Sequence, residues 1–162
     1  MTLYFFIKLT HIVSAILLLG TGLGTAYFML SAYRSRDTDA IRVTSRHVVL
    51  ADWIFTAPAV VLQLATGLWL TSFLQISYGS AWLIAVLTMF ALVGACWLPV
   101  VWIQIKLNQL VNADVEGTLP RQFSRWMRVW IALGVPAFLL TLVLVGMMVF
   151  KPGINWIVVG AT

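Results

Sequence analysis

The chain has 162 residues, of which 62% are hydrophobic and 9% are charged, and its formal net charge is +5. This composition leaves too few polar side chains to cover a water-soluble globule of that length. A soluble domain is therefore excluded, and the sequence predicts a protein whose main solvent is lipid.

Four apolar runs are long enough to cross a bilayer, because a hydrocarbon core of about 30 Å needs roughly 20 residues of α-helix. They cover residues 3–33, 47–73, 81–105 and 126–150. Each run must be helical, since lipid contains no water to satisfy open backbone groups. The sequence thus predicts one all-α domain, an integral membrane four-helix bundle in contact with the lipid bilayer.

Basic residues mark the first and third connections between these runs. The first connection carries Arg34, Arg36, Arg42 and Arg46, and the third is flanked by Lys106, Arg121, Arg125 and Arg128. Because Lys and Arg near helix ends are retained in the cytoplasm, both termini are expected outside the cytoplasm. The positive net charge is then a topology signal and does not indicate a nucleic-acid partner.

The first predicted helix carries polar residues and glycines at membrane depth. Lys8 and His11 are ionisable groups there, and such groups tend to face a bundle interior or a cavity. Gly20 and Gly24 form a small-xxx-small pair, which lets a second helix approach closely. We expect this pair to contact a membrane partner or a second copy of the chain.

The second predicted helix carries a polar stripe. At 100° per residue, one face holds Asp52, Thr56, Ala59, Gln63 and Thr66. A carboxylate at this depth is costly unless it is paired or protonated. The pattern indicates either a structural ion pair of Asp52 with Arg46, Lys106 or Arg128, or a relay for protons or substrate.

A second layer of candidate residues lies near the depth of His11. Counting from the basic connections places Met89 and Met147 at about this level, whereas His47 is roughly 20 Å away along the helix axis. A histidine and a methionine can ligate one haem iron. The hypothesis is a haem b site with His11 as axial ligand and Met89 or Met147 as sixth ligand. The alternative is that the methionines are core packing.

Several segments resemble a family of bacterial predicted integral membrane proteins of unknown function. They are IKLTHI at 7–12, GTGLGTAYF at 20–28, ADWIFTAP at 51–58 and GLWL at 67–70. The resemblance covers nearly the whole chain and implies a multi-pass protein of the bacterial inner membrane. More remotely, Lys8 and His11 on a four-helix chain resemble the haem-containing protoporphyrinogen oxidase type, which implies His11 as a haem ligand.

Three functional hypotheses follow from these observations. The first is an electron-transfer or oxidoreductase component that binds haem b through His11. The second is a small proton-linked transporter or permease-like subunit with a polar interior of Lys8, Asp52, Thr56, Gln63 and Arg128. The third is a structural or assembly subunit without chemistry of its own, and the sequence does not decide whether the protein is an enzyme.

Overall fold

The computed structural model describes residues 1–113 and 119–151, and all regular secondary structure among them is helical. The elements are α1 (Thr2–Ser35), α2 (Thr38–Ala51), a π-helical turn (Asp52–Thr56), α3 (Ala57–Phe73), α4 (Ala81–Asn112) and α5 (Arg121–Phe150). The segment from α2 to α3 runs without a break, so the described chain has four helical units long and apolar enough to cross a membrane. The all-α membrane fold is confirmed.

The helices connect at two ends of the bundle. One end, called here the arginine end, holds the end of α1, the start of α2, the end of α4 and the start of α5. The opposite end, the terminal end, holds the start of α1 and the end of α5. Three of the helices extend well beyond the predicted apolar spans, because α2 already begins at Thr38, α4 continues to Asn112 and α5 begins at Arg121.

The turn between α1 and α2 is only two residues long. Arg36 adopts a left-handed conformation with φ 60°, and the Asp37 side chain accepts hydrogen bonds from the backbone N–H groups of Asp39 and Ala40. These bonds satisfy donors that the first turn of a helix leaves open. The arginine-rich segment is therefore largely helical, whereas the apolar pattern had assigned it to a connection.

The π-helical turn ends two residues before Pro58. In it the backbone N–H of Ala57 donates to the carbonyl of Asp52, which is five residues earlier. A proline inside a helix has no N–H and its ring crowds the preceding turn, and such sites often carry local widening of the helix. The sequence Asp52 to Pro58 thus places a wide turn in the middle of this long helix.

The main apolar core lies towards the arginine end, where α1, α2, α4 and α5 pack together. Its fully buried members include Met29, Ile41, Ile103, Leu107, Phe123 and Met127. At the terminal end α4 and α5 form a smaller cluster around Trp82, whose indole Nε1 donates to the carbonyl of Met147 at 2.9 Å. There α1 packs mainly on α3, and α4 mainly on α5.

Apolar side chains also cover the outside of the bundle. In the most apolar window of each of the four helical units, at most 22% of the residues are buried inside the protein. Such an apolar exterior is unfavourable in water and favourable in hydrocarbon. The fold therefore presents the surface that contact with a lipid bilayer requires.

Candidate functional site

A network of polar side chains joins α1 to α3 in the terminal half of the bundle. The His11 Nδ1 atom lies 2.8 Å from Thr66 Oγ1, and its Nε2 atom lies 3.1 Å from Gln63 Nε2. The Ser14 hydroxyl donates to Gln63 Oε1 at 2.6 Å. Ser14, Gln63 and Thr66 are buried and His11 is half-buried. Polar groups at this depth are stabilised only when they are bonded to one another.

Two opposite directions of hydrogen bonding satisfy this network. With Gln63 Nε2 donating to His11 Nε2, the imidazole proton is on Nδ1, which donates to Thr66. Rotating the Gln63 amide by half a turn lets Oε1 accept from His11 Nε2–H, while the Ser14 hydroxyl donates to the His11 carbonyl, 2.9 Å away. Both neutral forms of the imidazole are therefore accommodated.

Gly67 gives the imidazole its space on α3. A Cβ atom built at this position would lie 3.2 Å from His11 Cε1 and 3.8 Å from His11 Nδ1. The first distance is below ordinary van der Waals contact, so a side chain would press on the ring. The glycine thus allows the two helices to approach closely at His11.

A second polar layer lies at the π-helical turn. Thr56 Oγ1 donates to Asp52 Oδ1 at 2.8 Å, and the Gln104 side chain of α4 lies beside the Asp52 carboxyl group. Asp52 is only 5% exposed, as is Gln104. Asp52 Oδ2 and Gln104 Oε1 are buried without a hydrogen-bond partner in the described part of the chain. This leaves a carboxyl oxygen in the interior that can carry a proton.

The expected ion pair of Asp52 is not formed, and this prediction was wrong. Among residues 1–113 and 119–151, the one salt bridge joins the half-buried Arg42 to the exposed Asp39. The Lys106 ammonium group instead lies over the rings of Trp102 and Trp126. The other two proposed partners are exposed at the arginine end, where water can solvate them: Arg46 and Arg128.

The predicted stripe of the second helix is buried along its whole length. Its members Asp52, Thr56, Ala59, Gln63 and Thr66 are all at most 9% exposed. From the first to the last they span about 21 Å at 1.5 Å per residue. The structure thus brings the stripe into the protein interior, with Gln63 and Thr66 in the His11 network and Asp52 and Thr56 in the second layer.

The sequence reasoning missed Ser14 and Gln104. Ser14 is three residues after His11 and therefore shares its helix face, which was a usable signal. Gln104 is a polar residue near the end of an otherwise apolar span, and its burial against Asp52 depends on the packing of α4 on α2. Only the tertiary structure supplies that neighbour.

The methionines of the haem hypothesis lie on the other helix pair. Met147 packs against the Trp82 cluster between α4 and α5, and Met89 is half-buried on α4. Both ring nitrogens of His11 already have partners on α3. A haem iron would therefore need His11 to exchange one of these hydrogen bonds for the metal, and haem binding stays a prediction.

Lys8 is exposed near the terminal end and does not join the polar interior. Its ammonium group lies 5.7 Å from the centre of the Tyr4 ring. Burial lowers the pKa of Lys151 just beyond α5, and the positive charge of Lys8 lowers it further. The two lysines are thus close enough to interact across the start of α1 and the end of α5.

The face of Gly20 and Gly24 is open in the single chain. A Cβ atom at either glycine would meet nothing within 4 Å. Within the described residues, no helix uses this pair for close packing. Contact with a second copy or another membrane protein through this face stays a prediction.

The comparisons with known proteins give a family and no activity. The family model described as "Predicted integral membrane protein (DUF2269)" matches residues 5–152. A search of the curated proteins and a search of the solved structures each returned no match to this chain.

Proposed function

Since the chain belongs to the DUF2269 family of predicted integral membrane proteins, whose function is unknown, we propose its activity from the interior alone. The proposal is a small proton-linked transport protein in which Asp52 and His11 bind and release the proton. The observation that carries it is the buried line of polar side chains from Asp52 to Thr66.

The environment of Asp52 supports proton binding. A buried carboxylate with no cation beside it is costly inside a membrane protein, and protonation removes that cost. Thr56 donates to one carboxyl oxygen, and the other, Oδ2, is buried near the Gln104 side chain without a well-formed hydrogen bond in the described part of the chain. Uptake of one proton at Oδ2 neutralises the group and gives the oxygen an O–H.

The network around His11 supports a second group that binds and releases a proton. The same partners that fit both neutral imidazole forms also fit the imidazolium. In that form Nδ1–H donates to Thr66 Oγ1, Nε2–H donates to Gln63 Oε1, and the Gln63 amide donates to Ser14 Oγ. His11 can thus gain and lose a proton while every polar atom of the network keeps a partner.

Proton flux into proteoliposomes tests the proposal. Purified protein is reconstituted into vesicles that contain a pH-sensitive dye, and a potassium diffusion potential drives protons inward. We expect acidification faster than in empty vesicles, and Asp52→Asn to slow it by about tenfold or more, because the amide cannot take up a proton. The matched control is Asp39→Asn, which removes an exposed carboxylate at the arginine end and should leave the flux unchanged.

Infrared difference spectroscopy of the same samples provides a measurement that does not depend on a transported substrate. A protonated carboxyl group in an apolar interior gives a C=O stretch that titrates with pH, and this band should be lost in Asp52→Asn and kept in Asp39→Asn. The proposal fails if the band is absent from the wild-type protein, or if Asp52→Asn conducts protons as well as the wild type. The haem hypothesis predicts instead a Soret band that His11→Ala removes.

A further inference from the structure

A basic pocket lies at the arginine end between the last part of α4 and the first turns of α5. It has a volume of about 290 Å³ and is lined by Lys106, Gln122, Arg125, Trp126 and Val129. Two of these side chains are cations, and none is acidic. In the described part of the chain, no salt bridge neutralises either cation.

The Lys106 ammonium group is held by two indole rings. Its Nζ atom lies 4.1 Å from the centre of the Trp126 ring and 4.9 Å from that of Trp102. The two rings themselves meet edge to face at 5.3 Å. A cation over indole faces is attracted by the ring electrons but keeps its full charge, so Lys106 is positioned and still available to an anion.

The pocket lies at the boundary between the apolar span and the charged end. From Ala81 to Ile105 helix α4 carries no charged residue, and α5 carries none from Val129 to Phe150. Tryptophans at such a boundary are typical of the headgroup level of a bilayer. The 55% exposed Trp102 side chain supplies an apolar surface beside the cations at this level.

We propose that this pocket binds the phosphate of an anionic phospholipid headgroup. Arg125 offers a planar pair of N–H donors, and Lys106 and Gln122 offer further donors to phosphate oxygens. Val129 and the Trp126 indole provide the apolar wall that the glycerol and acyl part of a lipid requires. Basic pockets between transmembrane helices recognise lipid headgroups in this way. The site is separate from the polar interior, and the proposal does not rest on the proposed transport function.

Native mass spectrometry of the full chain in detergent tests the proposal. Phosphatidylglycerol and phosphatidylcholine of equal chain length are titrated separately, and the lipid-bound fraction is counted. We expect phosphatidylglycerol to bind at least about tenfold more tightly, because its net negative charge meets the cations Lys106 and Arg125. Equal binding of the two lipids by the wild-type protein would overturn the proposal.

The double substitution Lys106→Gln and Arg125→Gln should remove this preference, while the helical circular dichroism spectrum stays that of the wild type. The matched control is Arg46→Gln, which removes an exposed charge at the same end outside the pocket. If Arg46→Gln loses the preference to the same extent, the preference comes from the overall positive charge of this end of the protein, and the proposed site is contradicted. Displacement of phosphatidylglycerol by millimolar inorganic phosphate would show a site for free phosphate and would also overturn the lipid assignment.

Discussion

The position of the His11 ring depends on the lack of a side chain at Gly67. Gly67 of α3 also faces the His11 ring, and a Cβ there would lie 3.2 Å from Cε1. The ring is held at both nitrogens, so it cannot move away without lengthening the hydrogen bonds to Thr66 or Gln63. The glycine and the histidine network are therefore one structural unit.

We expect Gly67→Val to lower the free energy of unfolding by about 1–3 kcal/mol, because the branched side chain overpacks the helix contact at His11. The measurement is reversible unfolding in mixed micelles. Gly94→Val is the matched control, since a Cβ at Gly94 of α4 meets nothing within 4 Å. Equal destabilisation by both variants would show that the cost comes from the valine itself and not from contact with His11.

At the scale of the helices, hydrogen bonds between side chains determine that α1 packs on α3 in the terminal half of the bundle. Packing of apolar side chains gives little specificity between helices in lipid, since the lipid tails are as apolar as the side chains. The bond from Ser14 of α1 to Gln63 of α3 is short and buried. It fixes both the pairing and the register of these two helices.

We expect a double-mutant cycle with Ser14→Ala and Gln63→Leu to give a coupling free energy of about 0.6 kcal/mol, and at most about 1.7 kcal/mol. These are the mean and the maximum for hydrogen bonds between membrane helices. Unfolding free energies of the two single variants and the double variant provide it. Thr88→Ala combined with Gln63→Leu is the control, because Thr88 bonds only to the Ile84 carbonyl of its own helix. A Ser14–Gln63 coupling near zero would contradict the pairing.

Helix periodicity predicted the polar interior of α3 but not its partners across the bundle. Asp52, Thr56, Gln63 and Thr66 share one face because they follow the α-helical repeat, and that face is buried. The predicted ion pair of Asp52 was wrong because the depth and charge of a residue do not show which helix it faces across the bundle. The Lys106 ammonium group lies over the rings of Trp102 and Trp126 and not beside Asp52. The packing that brings Gln104 to Asp52 is a property of the tertiary structure.

At the scale of the whole molecule, the charges are strongly uneven between the two ends. Eight of the ten Lys and Arg residues belong to the arginine end, and the other two, Lys8 and Lys151, belong to the terminal end. Acidic residues do little to determine orientation, so the basic residues decide it. The described chain has four helical units long and apolar enough to cross a membrane, and four crossings would put residue 1 and residue 151 on the same side.

We predict that the arginine end lies in the cytoplasm and that both termini lie outside it, because basic residues near helix ends resist translocation. Alkaline phosphatase fused after Thr162 should be active, since it folds only outside the cytoplasm, and a green fluorescent protein at the same point should be dark. The control places the same two reporters in the connection between α4 and α5, where the result should reverse. A fluorescent C-terminal fusion with inactive phosphatase would reject this orientation, and the lipid site around Lys106 would then belong to the outer leaflet.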